Sequence, residues 1–132
     1  MNRKRVFKTK QFARWAKKVV DDLRLCEAAR EIELGRFEAD LGGGICKKRI
    51  ALPGKGKSGS TRTLVAIRHK EALIFIVGRE KRQPGGDFSD KEIEAAKLVA
   101  KQLHLASEAI LDAMNADGLL EEICNGKDEE GQ

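Results

Sequence analysis

Leu41–Ile67 reads LGGGICKKRIALPGKGKSGSTRTLVAI, and this stretch decides the fold class. Ile45 to Leu52 has the composition of a strand, and Pro53-Gly54 ends it. Gly54 to Ser60 is a loop built from glycine, lysine and serine. A second strand is predicted from Arg62 to His69, followed by a hairpin-like connection at His69-Lys70-Glu71. Beyond it, Ala72–Val77 is a nearly continuous apolar run, as expected of a strand at the centre of a sheet. Three consecutive strand signals joined by short connections predict an antiparallel sheet.

Working outward, the flanks carry helical periodicity. On the N-terminal side, Arg5 to Lys8 reads as a short first strand and Lys10 to Lys18 as a helix, with Phe12, Trp15, Ala16 and Val19 as its apolar stripe. Asp21 or Asp22 caps a second helix running to about Leu34, with Leu25, Ala28, Ala29 and Ile32 on one face and Gly35 as its stop. On the C-terminal side, Ser89 and Glu92 form a capping box ahead of a long helix. Its expected apolar face contains Ile93, Ala96, Leu98, Ala100, Leu103 and Leu105. A last short helix is predicted over Ala116 to Ile123. The fold class is therefore α+β: two N-terminal helices and a C-terminal helix around a small antiparallel sheet whose strands run consecutively. No repeat or linker divides the chain. Residues 1–132 read as one domain, with a core at about 5–105, a helical extension at 106–124 and a frayed tail at 125–132.

Composition narrows the function. The 132 residues are 41% apolar, enough for a core, and the charge is +5. Charge is segregated: residues 1–20 carry eight Lys/Arg and no acid, residues 41–62 six and no acid, and residues 104–132 eight Asp/Glu against Lys127 alone. This pattern predicts one polyanion-facing surface and one acidic end. Three cysteines, Cys26, Cys46 and Cys124, make an odd count without a CxxC pair, so reduced thiols in the cytoplasm are the simplest expectation. The basic N-terminus is not followed by an apolar signal core, and the longest apolar run is too short for a bilayer, so no membrane association is expected.

The central stretch also carries the chemistry. Period-two geometry puts Lys47 and Arg49 on one face of their strand and Ile50 and Leu52 on the other. Arg62 opens the neighbouring strand, with Lys55 and Lys57 on the loop between. Such a cluster suits phosphate, and arginine can hold two phosphate oxygens at once. A second group, Arg79, Lys81 and Arg82, follows the apolar strand and reaches the same cleft if the two strands are neighbours. Gly56-Lys57-Ser58 resembles the end of a nucleotide-binding P-loop, but Ala51 stands where the first glycine is needed and a strand, not a helix, is predicted to follow. His69 and His104 read as surface residues. No metal site and no cofactor is expected.

Taken together, LGGGICKKRIALPGKGKSGSTRTLVA, the opening VFKTKQFARWAKK and the later IFIVGREKR resemble the RelE-like toxins of type II toxin–antitoxin systems. Within the RelE/ParE superfamily the chain is most similar to the HigB-like branch, over roughly residues 5–105. The resemblance implies a RelE-like toxin fold and a cognate antitoxin, expected to be of the helix-turn-helix type. It also implies a ribosome-dependent endoribonuclease that cuts messenger RNA and so inhibits translation. The positions it carries over are Lys47, Arg62 and Lys81 for catalysis, with Lys48, Arg49, Lys55, Lys57, Arg79 and Arg82 binding RNA. In that chemistry the ribose 2′-OH attacks the adjacent phosphate and leaves a 2′,3′-cyclic phosphate. RelE places a tyrosine after its last strand, and this chain has no tyrosine. Lys47 as base and Lys81, or Arg79 in another register, as acid are the replacements to consider. Phe88 either stacks on a base or packs in the core. Two alternatives remain: a ParE-like topoisomerase inhibitor, or an RNA-binding module without catalysis.

Overall fold

The alternation around the glycine loop does produce adjacent strands. In the computed structural model, which describes residues 3–52, 60–80 and 87–125, β3 (Ile45–Ile50) and β4 (Thr61–Ala66) pair antiparallel, and β4 pairs in turn with β5 (Ala72–Glu80). A short edge strand, β2 (Ala39–Gly42), lies outside β3. Its sequence ADLG carries no alternation that would mark a strand. At the other side, β1 (Arg5–Thr9) runs parallel to β5 and antiparallel to β6 (Leu120–Ile123), giving the order β2-β3-β4-β5-β1-β6. The expectation of a purely antiparallel sheet in consecutive order is thus corrected at β1. The physical reason is burial: Val6 and Phe7 are both fully buried, one in each core, the pattern of a strand covered by helices on both faces, which suits parallel pairing beside the apolar β5.

Helices cover both faces of the sheet. On one side α1 (Lys10–Ala16) and α2 (Asp22–Glu33) enclose Phe12, Leu25 and Ala29 against Val65 and Phe75. Asp21 is the α2 cap, accepting from the Arg24 N–H. On the other side α3 (Asp90–Leu105) and α4 (Glu108–Ala116) pack Ala100 and Leu111 against Ile45, Leu64 and Ile74. The capping box of Ser89 and Glu92 is present.

Three further expectations change. The predicted helix over Ala116 to Ile123 is α4, placed earlier and capped by Ser107, followed by a strand. Gly118, at φ +81°, takes the left-handed conformation that ends the helix. Leu120 and Ile123 then enter opposite cores, as residues an odd number apart do in a strand. On α3, Leu98 and Leu105 are exposed, not buried; Ala96, Ala100 and Leu103 face the sheet. Leu98 stands two positions from each alanine and so on the far side of the helix. Finally, Cys26 of α2 and Cys124 form a disulfide with Cα atoms 5.6 Å apart, against the expectation of reduced thiols. A pair separated by 98 residues leaves no spacing signal. Cys46 is the free cysteine, buried in the core, and burial pushes its thiol up to about 12.

Candidate nucleic-acid interface

Strand register assembles the cationic cluster. Arg49 on β3 lies directly opposite Arg62 on β4, and Arg62 lies directly opposite Arg79 on β5. Residues facing each other across antiparallel strands project from the same face, and neighbouring strands stand about 4.8 Å apart. The three arginines therefore form one rung across three strands. Arg79 owes its place to an irregularity in the β4–β5 pairing between Leu64 and Val65. There the partner on β5 steps from Phe75 to Val77, so the strand changes phase and Arg79, not Gly78, aligns with Arg62. Gly78 then faces the opposite side, under the ring of Trp15, where an added Cβ would come within 2.0 Å.

Lys47 shares the face of Arg49, two residues away. Its Nζ donates to Asp87 Oδ2 at 2.7 Å. Asp87 leads into α3, and its Oδ1 accepts from the Phe88 N–H at 2.8 Å. Burial opposes ionisation of Asp87. The hydrogen bonds from Lys47 and Phe88 and the charges of Lys47 and Arg62 outweigh it, holding the carboxyl below the ordinary range. Glu38, just before β2, accepts from the Arg49 N–H at 2.6 Å. Lys47, Arg49, Arg62, Asp87, Glu38 and Ala39 line an open cleft of about 260 Å³. Arg79, at the β5 end of the rung, has its guanidinium 3.9 Å from Glu92. Forked cations beside two carboxylates can hold a phosphate and offer a proton acceptor next to it.

The structure thus brings together Lys47, Arg49, Arg62 and Arg79. Lys48 is a correction. One residue out of phase, it projects to the α2 face, is 6% exposed, pairs with Glu31 at 2.7 Å and donates to the Arg36 carbonyl. Lys55, Lys57, Lys81 and Arg82 lie outside the described residues, as does Gly56-Lys57-Ser58; the strand after that tripeptide is not the helix a P-loop requires. Phe88 packs in the α3-side core. His69 is buried, not a surface residue: its Nε2 meets the Ala106 carbonyl at 2.8 Å and its Nδ1 accepts from the Glu71 N–H. His104 Nε2 accepts from the Arg68 N–H, tying α3 to the end of β4.

Two cleft residues, Glu38 and Asp87, went unnoticed in the sequence. Neither sits in a periodic element, and Asp87 is 40 residues from its partner Lys47. The charge segregation also acquires a different meaning. Arg5 is held by Glu108, Asp112 and Glu122, and Lys8 by Asp22 and Glu121. Much of the acidic end thus serves the basic first strand internally.

Among the described residues no helix is long and apolar enough to cross a membrane. Neither a curated protein nor a solved structure matches the chain. A family model does: the RelE toxin of the RelE/RelB toxin–antitoxin system, over residues 4–123. That span runs from the residue before β1 to the end of β6 and takes in the whole sheet with both helical layers. The chain accordingly belongs to the RelE toxin family, the toxin half of a toxin–antitoxin pair.

Proposed function

We propose that the protein is a ribosome-dependent endoribonuclease that cleaves messenger RNA at the Arg49–Arg62–Arg79 rung. The observation that carries this reading is the alignment of three arginines on adjacent strands, with Lys47 and two carboxylates beside them. Arg62, at the middle of the rung, stabilises the charge that builds on the phosphorus-bound oxygens as the 2′-oxygen attacks. Arg49 and Arg79 hold the flanking backbone. Lys47 already donates to Asp87. It therefore acts as a cation that transfers its hydrogen bond to the incoming phosphate, and the proton of the 2′-OH passes to Glu38. The P–O5′ bond breaks, leaving a 2′,3′-cyclic phosphate and a 5′-hydroxyl, with Lys81 as the proposed proton donor to the leaving oxygen. Positioning of the messenger by the ribosome supplies the rest of the rate. The helix-turn-helix type of antitoxin and a cytoplasmic site of action belong to the same proposal.

Primer extension on messenger translated in a purified system tests the reading. Wild type should give discrete stops within codons, Arg62→Ala none, and Glu38→Gln a strongly reduced yield. Intact messenger with the wild-type protein would refute cleavage. Inhibition of gyrase supercoiling under the same conditions would move the protein to the ParE-like alternative, and salt-sensitive RNA binding without either effect to the binding module.

A further inference from the structure

The long helix α3 turns small residues inward and large ones outward. Ala96, Ala100 and Leu103 meet the sheet, whereas Leu98 is 69% and Leu105 77% exposed. These leucines are seven positions apart and therefore lie on one stripe of the helix. Beside them runs an open groove of about 440 Å³, bounded by Lys97, Lys101 and His104 of α3 and by Arg68 at the end of β4. Its floor is fixed: Gly43 lies against the stem of Lys97, and Gly44, at φ +78°, lies under the His104 ring, where a Cβ would come within 2.4 Å of Cε1. Arg68 and Lys101 are exposed, and the single acid lining the groove, Glu94, pairs with Lys97 at 3.4 Å.

Exposed leucines with a cationic rim are a surface for protein, because a nucleic-acid backbone has nothing to bury against them. The net positive rim disfavours a second copy of the same face and favours an acidic occupant. Family membership supplies a protein that must bind. We propose that the outer face of α3 is an antitoxin docking site, which takes an acidic amphipathic helical segment whose apolar residues cover Leu98 and Leu105 and whose carboxylates meet Lys101 and Arg68. The groove is separate from the cleft: Arg62 and Arg68 are six residues apart along β4 and beyond it, roughly 20 Å in extended chain. Docking here anchors the antitoxin while leaving another part of it to reach the arginine rung.

The test is isothermal titration of the full-length toxin with the full-length antitoxin encoded with it. Leu98→Glu/Leu105→Glu should weaken binding by about 100-fold or more, the scale of two buried leucine contacts. Lys101→Glu alone should weaken it by about tenfold and flatten its salt dependence. Both variants should melt like wild type, since the substituted side chains touch solvent, and cells expressing the double variant should stay arrested when antitoxin is supplied. Hydrogen exchange on the wild-type complex, which needs no variant, should show added protection along α3. Unchanged affinity in both variants, or no added protection, overturns the proposal. So does a double variant that binds antitoxin normally but loses ribosome binding or self-association, which would assign the face to those partners. Affinity is read without cleavage, so a toxin that cut no RNA would sink the proposed activity and leave this test standing.

Discussion

Lys47 and Lys48 differ by one position on β3, which sends their ammonium groups to opposite faces of the sheet. Lys47→Met should therefore abolish most cleavage with little change in stability. Lys48→Met should leave cleavage intact and lower stability by about 1–2 kcal/mol, because the Arg36 carbonyl loses its donor. Urea denaturation and cleavage assays on both variants check this, and the reverse pattern would mean that the register is wrong. Gly78 supports the same site from behind. Gly78→Ala forces a methyl group into the Trp15 ring and should cost about 1–3 kcal/mol, part of it recovered when Trp15→Leu is added.

At the scale of elements, His104 joins α3 to the β4–β5 connection by accepting from the Arg68 N–H. Burial, followed by the charge of Arg68, holds its imidazole below the usual histidine value of 6.5. The folded state therefore resists protonation more than the unfolded chain does. The stability from this contact is complete above 6.5, falls as pH drops through that value, and levels off below the lowered folded value. His104→Gln, which keeps an acceptor without a titrating ring, should remove this part of the acid sensitivity in denaturation curves taken from pH 7.5 to 5. An unaltered profile would rule the contact out as its source. Legibility followed the same elements. The central strands, a cap at Asp21 or Asp22 and the Ser89–Glu92 box were readable because each rests on local spacing, and the rung was half readable because period two placed Lys47 and Arg49 together. The parallel position of β1, the phase change in β5 and the carboxylates of Glu38 and Asp87 depend on residues far apart in the chain, where no local rule applies. The leucines of α3 misled because an apolar residue on a helix can face a partner as readily as a core.

For the molecule as a whole, the C-terminal segment closes the fold. β6 covers β1, its acids and those of α4 hold Arg5 and Lys8, and Cys124 is bonded to Cys26. A link spanning 98 residues constrains the unfolded chain by up to about 4–5 kcal/mol in the loop-entropy account. Reductant should accordingly lower the melting temperature by several degrees. Cys46, fully buried with its thiol raised to about 12, should stay unlabelled by alkylating reagents until the protein unfolds. An unchanged melt under reduction would show that the closure does not depend on the bond. The central claim, however, is that the arginine rung cuts RNA, and it is tested most directly by single-turnover cleavage of messenger on programmed ribosomes. Arg62→Ala should slow the reaction by about 100-fold or more, the usual cost of removing one preorganised donor to a developing oxyanion, while Lys48→Met reacts at the wild-type rate. Cleavage by Arg62→Ala at the wild-type rate would contradict the account.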